Sequence, residues 1–289
     1  MEPAVNDLAL RFGAPPSPAF NVEPTDEQVQ FFRENGFIAV ERLTTDEELD
    51  WLDRVYGACF DRQDDAAVRT RWDEETGTDG TRTVTRAQAF FPEVGVPQLL
   101  ETAYRRNGRR FVAAFMGVAE AELTSWSHML DKPAGIGRPT YWHQDEAYWE
   151  PAVEHHAIGV WMPLTDCSVQ MGCMQFIPGS HLNGLLHHHS RRPDIRPDLY
   201  EVKDEVDDST AVACPLPAGG ATFHHSRTLH YTAPNVSGRD RRAYAIEFET
   251  KPTIRDTPLD KPWVTAARAA LGDTPAVRRY MADGEFREI

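Results

Sequence analysis

The sequence predicts a mainly β domain with helices flanking it. Three observations carry this. Helical periodicity dominates the chain up to about residue 117, short apolar or alternating runs recur from Leu123 to Phe248, and Gly and Pro punctuate those runs. Short strands separated by turn residues belong to a sandwich or a barrel.

Residues 1–23 hold four prolines and little periodicity, and read as an extended arm. Thr25-Asp26-Glu27-Gln28 has the capping-box pattern and predicts a helix ending near Gly36. Phe37-Ile38-Ala39-Val40 follows as a short strand. Thr45-Asp46-Glu47-Glu48 is a second capping box, and Trp51, Leu52, Val55, Tyr56, Cys59 and Phe60 beyond it share one helical face. The polar stretch from about 64 to 83, with Gly77 and Gly80, predicts a loop. Residues from about 96 to 117 predict a helix interrupted near Gly108. In the second half, Leu123–Leu130, Ala157–Leu164, Met174–Ile177, Val212–Leu216, Ala221–His225 and Ala243–Phe248 predict strands. The charged segment from about 187 to 210 reads as a long loop, a lid or mobile insertion. The tail from 262 onward predicts one or two short helices.

With 289 residues the chain suits one large domain. Its expected parts are a helical portion at about 24–117, a β core at about 120–250 and the helical tail. The formal net charge is −15 and no Lys/Arg run offsets it, so neither nucleic acid nor an anionic membrane surface is an expected partner. The first residues lack a basic n-region and an apolar h-region, and no apolar run approaches a membrane span. The four cysteines form neither a CxxC pair nor a disulfide framework. A cytoplasmic protein with reduced thiols is expected.

Chemistry concentrates in Thr140-Tyr141-Trp142-His143-Gln144-Asp145. Residues i and i+2 of extended chain share a face, so His143 and Asp145 can reach one small object. Far downstream, Phe223-His224-His225-Ser226-Arg227-Thr228-Leu229-His230 offers a second imidazole from His224, His225 or His230. Two histidines and a carboxylate on one side of a metal leave its other side open, which is the facial triad of non-haem Fe(II) oxygenases. No thiolate lies in the motif, which favours Fe(II) over structural zinc.

Three ordered segments carry a family resemblance. Trp142-His143-Gln144-Asp145 resembles the HxD signature of the phytanoyl-CoA dioxygenase family. Met171-Gly172-Cys173 through Pro178-Gly179-Ser180-His181 resembles its NGC and PGSH segment, with Met171 replacing the usual Asn. His230-Tyr231-Thr232-Ala233-Pro234-Asn235, followed by Arg241-Arg242-Ala243, resembles its distal block. The resemblance covers about residues 140–250. It implies a double-stranded β-helix (a cupin-like jelly roll) with the helices outside it. It also implies His143, Asp145 and His230 as ligands of Fe(II), since the family's arginine follows its distal histidine at the spacing of Arg241 from His230. Arg241 is then the partner of the distal carboxylate of the cosubstrate 2-oxoglutarate. Thr232 is two residues past His230 and shares its face, and Trp161 matches a family tryptophan beside the cosubstrate. Arg242 should point to the opposite face.

The implied activity is that of a 2-oxoglutarate-dependent dioxygenase. It consumes O2 and hydroxylates, or otherwise oxidises, an unactivated carbon of a small molecule, in secondary or small-metabolite metabolism. Alternatives are an acyl-CoA hydroxylase and a non-catalytic metal-binding jelly roll. A zinc hydrolase has no need of the Arg241 block, and Asp145 fills the position that related halogenases leave open for halide. The other histidines have plainer expectations: His187, His188 and His189 in a solvated loop, His181 capping a turn, and His155 and His156 facing solvent or backbone. His224 and His225 are expected at a strand end near the pocket. Tyr148 and Trp149 are candidate pocket walls, and Phe115 and Trp126 are expected in the core.

Overall fold

A computed structural model describes residues 11–60, 69–76, 82–193 and 196–271. The main sheet is antiparallel, in the spatial order β1 (Phe37–Val40), β12 (Ala221–His225), β7 (Ala157–Pro163), β14 (Arg241–Thr250), β4 (Leu123–Lys132), β3 (Arg82–Phe90) and β2 (Arg69–Thr76). A smaller sheet has the order β11 (Val212–Cys214), β8 (Met174–Phe176), β13 (His230–Thr232) and β5 (Thr140–His143). Two further pairs are β9 (His188–Arg192) with β10 (Arg196–Val202), and β6 (Val153–Glu154) with β15 (Thr253–Ile254).

Alternation along β14 separates the two faces of the main sheet. Tyr244, Ile246 and Phe248 point to the helices and join one core with Leu52 and Val55 of α2 (Asp46–Phe60) and with Phe111 and Val112 of α3 (Ala103–Met116). Arg241, Ala243, Ala245 and Glu247 have the opposite parity. Ala243 joins Phe37, Trp161, Met174, Phe176 and Cys214 in a second core between the sheets. Phe37 and Phe176 stack there with centroids 4.7 Å apart. Helices, main sheet and small sheet therefore make the jelly roll with external helices that the motifs imply.

The first capping box is complete. Thr25 and Gln28 exchange both bonds at the start of α1 (Asp26–Asn35), and Gly36 closes it at φ 77°. The second is half used. Thr45 Oγ1 accepts from Glu48 N at 3.2 Å, but the Glu48 carboxylate leaves its own helix. It accepts from Ala103 N (2.7 Å), Tyr104 N (2.9 Å) and the Thr44 hydroxyl (2.6 Å). A buried carboxylate of α2 thus caps α3, and burial pushes its pKa up despite those bonds.

Four expectations need correction. Within the stretch of about 64–83 predicted as a loop, residues 69–76 form a strand that pairs with 82–90 in a hairpin, while 64–68 and 77–81 lie outside the described residues. β3 pairs through backbone with β4, and β2 is an edge strand, so neither needs a continuous apolar run. α3 runs through Gly108 without a break. A Cβ there would lie 3.4 Å from the Phe248 ring, so this glycine lets helix and sheet approach. The segment 187–210 is largely the β9–β10 hairpin, with Tyr200 and Val202 buried and Tyr200 packed with Trp263 of α4 (Pro262–Leu271). Trp126 is only half-buried, on the inner face against Phe91 and His128. Phe115 is core as expected, stacked on Phe32 at 4.3 Å. No helix among the described residues is long and apolar enough to cross a membrane.

Glu48→Ala strands two N–H groups at the start of α3. It should lower unfolding free energy by about 2 kcal/mol, read as a lower urea midpoint with unchanged slope.

Candidate functional site

β13 runs antiparallel to β5 with His230 opposite His143. This register lays the two imidazoles together, centroids 4.0 Å apart. β5 ends at His143, yet Gln144 keeps extended backbone (φ −124°, ψ 134°) before the short turn Asp145–Tyr148. Gln144 therefore points away and Asp145 returns to the His143 side. His143, Asp145 and His230 each offer a ligand atom, and these atoms lie within 4.8 Å of one another. Among the described residues no other such group of His, Cys, Asp or Glu forms.

Backbone carbonyls set the tautomers. His143 Nδ1 lies 2.7 Å from Tyr141 O, and His230 Nδ1 lies 2.9 Å from Thr228 O. A carbonyl only accepts, so each Nδ1 donates and each Nε2 presents a lone pair. Both Nε2 atoms face Asp145 Oδ1, at 3.7 and 3.5 Å. Burial lowers the pKa of both rings and keeps them neutral. Burial pushes the Asp145 carboxyl up, but the facing His230 ring and the hydrogen bond from His224 outweigh it and hold it below the usual carboxylate range.

His224 is in the site but not among the ligand atoms. Its Nε2 lies 3.0 Å from Asp145 Oδ2. An ionised carboxylate cannot donate, so His224 donates its Nε2 proton and orients the carboxylate, leaving Oδ1 for the other two rings. Gly159 makes room for it: it is the cross-strand neighbour of His224, and a Cβ there would lie 2.6 Å from His224 Nε2. Sequence reasoning assigned His224 no role. The available signal is parity, since Thr222 and His224 share the inner face while Phe223 joins the helix-side core. His225 faces elsewhere, its Nδ1 accepting from Arg227 N at 3.0 Å.

Arg241 lies further along the inner face, 3% exposed, with its guanidinium carbon 5.2 Å from the Trp161 ring centroid. Among the described residues no carboxylate pairs with it, and its Nε has no hydrogen-bond partner. Arg242 points the other way, to Asp53 at 2.9 Å, as alternation requires. Thr232 is buried and accepts at Oγ1 from Lys132 Nζ at 2.7 Å. Lys132 is the cross-strand neighbour of Arg241 and was not singled out from sequence. Burial, then the charges of Arg241 and Arg86, push its amine well below the ordinary lysine range. Tyr148 meets His143 edge-on at 5.9 Å, whereas Trp149 is buried against His155.

Two histidine expectations are overturned. His188 is fully buried, accepting from Gln144 N at 3.2 Å, not solvated. His155 bonds Glu249 at 2.6 Å, not solvent or backbone. His181 reaches Arg33 O at 3.2 Å, close to the turn at Gly36.

The Phytanoyl-CoA dioxygenase (PhyH) family model matches residues 32–243. The chain belongs to the phytanoyl-CoA dioxygenase family. Its triad, Thr232 and Arg241 all fall inside the matched stretch. Phytanoyl-CoA dioxygenase domain-containing protein 1 of Danio rerio is 28% identical over 269 residues, covering 80% of this chain and 92% of that protein. EvdO2 from Micromonospora carbonacea var. aurantiaca, solved with 2-oxoglutarate, superposes with a TM-score of 0.73 at 33% identity, over 84% of this chain and 99% of that one. The epimerase SnoN, solved with Fe3+, alpha ketoglutarate and nogalamycin RO, has a TM-score of 0.63 at 18% identity over 86% of this chain and 90% of its own, a likeness of fold.

Burial also sets an acid limit. His128, His188 and His225 are held down to about 4, against 6.5 for a free ring. Unfolding at mildly acid pH therefore takes up protons, so stability falls as pH drops from the unfolded toward the folded value. The urea midpoint of metal-free protein should decline from about pH 7 to about pH 5, less steeply in His188→Gln.

Proposed function

We propose that the chain, a 2-oxoglutarate-dependent oxygenase, oxidises an unactivated carbon of a small molecule with Fe(II) held by His143, Asp145 and His230. In this reading Arg241, backed by Trp161 and helped by Thr232, takes the distal carboxylate of 2-oxoglutarate. One observation carries it: a buried arginine with no anion of its own among the described residues faces the interior that also holds two neutral imidazoles and an ionised carboxylate. Two nitrogens and one oxygen without a thiolate suit Fe(II). Burying a cation without a partner is costly, and a carboxylate matching the guanidinium fork relieves that cost. When bound, the iron with 2-oxoglutarate and O2 supplies the power to attack a C–H bond, and succinate and CO2 are released.

The protein's own contribution is orientation and exclusion of water. Backbone carbonyls fix the two rings, His224 fixes Asp145, and Trp161 backs the guanidinium. With Asp145 in the carboxylate position, hydroxylation or a related oxidation is favoured over halogenation. On the substrate side the inner face carries Phe90, Trp126 and His128 beside Glu247. His128 Nδ1 and Glu247 Oε1 have no partner among the described residues. An acyl chain would leave both unpaired, whereas a metabolite with an apolar face and hydrogen-bonding groups would not. This supports small-metabolite or secondary metabolism over an acyl-CoA. A cytoplasmic setting is supported by four buried cysteines that form no disulfide, and the chain is taken to act as one catalytic domain. Neither nucleic acid nor membrane enters the proposal, given the net charge of −15.

His143→Ala, Asp145→Ala and His230→Ala should each abolish Fe(II) binding measured anaerobically by calorimetry, while His225→Ala retains it. His224→Ala should weaken the metal about tenfold or more through a misaligned Asp145. Loss of iron in His225→Ala with retention in His230→Ala would refute the ligand set.

Arg241→Ala should raise the KM for 2-oxoglutarate by about a hundredfold with Fe(II) affinity little changed, and Arg242→Ala should have a much smaller effect. Equal effects from the two would contradict the cosubstrate assignment.

A further inference from the structure

Lys132 ends β4 with its side chain on the inner face and is 0% exposed. Its stem is packed so closely that a Cβ on Gly137 would lie 2.3 Å from Lys132 Cγ. Its Nζ lies 2.7 Å from Thr232 Oγ1, 2.8 Å from the Ala233 carbonyl oxygen and 3.5 Å from the Thr232 carbonyl oxygen. No carboxylate bonds it among the described residues, and its cross-strand neighbour is the cation Arg241. Two like charges opposite each other in a sheet interior are unfavourable unless an anion joins them.

The polarity of these bonds matters. With an anion bound beside Arg241 the amine is charged; an ammonium only donates and a carbonyl only accepts, so the Nζ protons then go to Ala233 O and Thr232 Oγ1. Thr232 then accepts from Lys132 and retains its own hydroxyl proton. No acceptor for that proton lies among the described residues.

We propose that Lys132 is a positioning residue of the cosubstrate site: by donating to Thr232 Oγ1, it makes the Thr232 hydroxyl a donor to the distal carboxylate that Arg241 takes. The inference rests on the assignment of Arg241 and Thr232 to that carboxylate. The bland alternative is a lysine that only staples β4 to the turn after β13. Gly172 in the neighbouring turn has φ +75°, and a Cβ there would lie 2.2 Å from Ala233 O, so this corner has little slack.

The two roles separate by ligand. 2-Oxovalerate has the keto-acid head of 2-oxoglutarate with a methyl group in place of the distal carboxylate. Both are titrated anaerobically into Fe(II)-loaded protein and their Kd values read by calorimetry. Lys132→Met and Thr232→Val should each weaken 2-oxoglutarate by about tenfold and leave 2-oxovalerate unchanged. The double variant should be no weaker than the worse single variant, because both break one chain of bonds. Thr232→Ser, which keeps the hydroxyl, should bind like the wild type. Equal weakening of both acids would mean a collapsed turn and would overturn the proposal. Unchanged 2-oxoglutarate binding in Lys132→Met and Thr232→Val overturns it too, and leaves the Arg241 assignment standing if Arg241→Ala still binds poorly. Unchanged binding in Arg241→Ala would bring down that assignment as well.

Discussion

The pairing of β13 with β5 is the constraint on which the site depends. It sets His230 opposite His143, and a one-residue slip would turn one ring out of the interior. Both strands are short, so the register needs outside support. β8 supplies it on one side, with Phe176 also opposite His230. Gln144 supplies it on the other. Its side chain donates to Gly184 O (2.8 Å) and Arg227 O (2.7 Å) and accepts from Leu186 N (2.7 Å). The residue between two candidate ligands thus ties together the segments around it.

The interior is zoned by charge. Asp145 and Glu247 lie toward one end of the inner face, and Lys132 and Arg241 lie at the other. Along β14, Arg241 and Glu247 are on the order of 20 Å apart at the rise of an extended strand. The inner positions between them are Ala243 and Ala245, whose small side chains leave that stretch of floor low. Each end lacks part of its hydrogen bonding among the described residues: Arg241 Nε at one, Glu247 Oε1 and His128 Nδ1 at the other. Such a layout suits a site completed by ligands, with an anion at the cationic end and a polar molecule at the mouth.

Where sequence and structure part, the cause is long-range pairing. The β2–β3 hairpin carries no strong apolar run because it extends a sheet from the edge. The β9–β10 hairpin hides among charges because its burial depends on Trp263, distant in sequence. Gly108 resembles a helix breaker, yet it is the point where α3 meets Phe248. Glu48 looks like the second half of a local capping box, but its carboxylate caps a different helix. In each case the local pattern was read correctly as composition, and a distant partner changed its meaning.

Local sequence alone determined the first capping box, the alternating strands, the HxD tripeptide and the ordered motifs from which the family, the candidate ligands and Arg241 as a candidate cosubstrate residue could be read. These depend on interactions within a few residues, or on spacing along one strand. Tertiary structure decided which of three histidines stands beside Asp145 as a hydrogen-bond donor and which faces it with a free lone pair. It decided that Lys132 meets Arg241 and Thr232, and that His188 is buried under the Gln144 backbone. Those outcomes depend on which strand lies beside which, and strand order is set by packing between sheets and helices rather than by any local pattern.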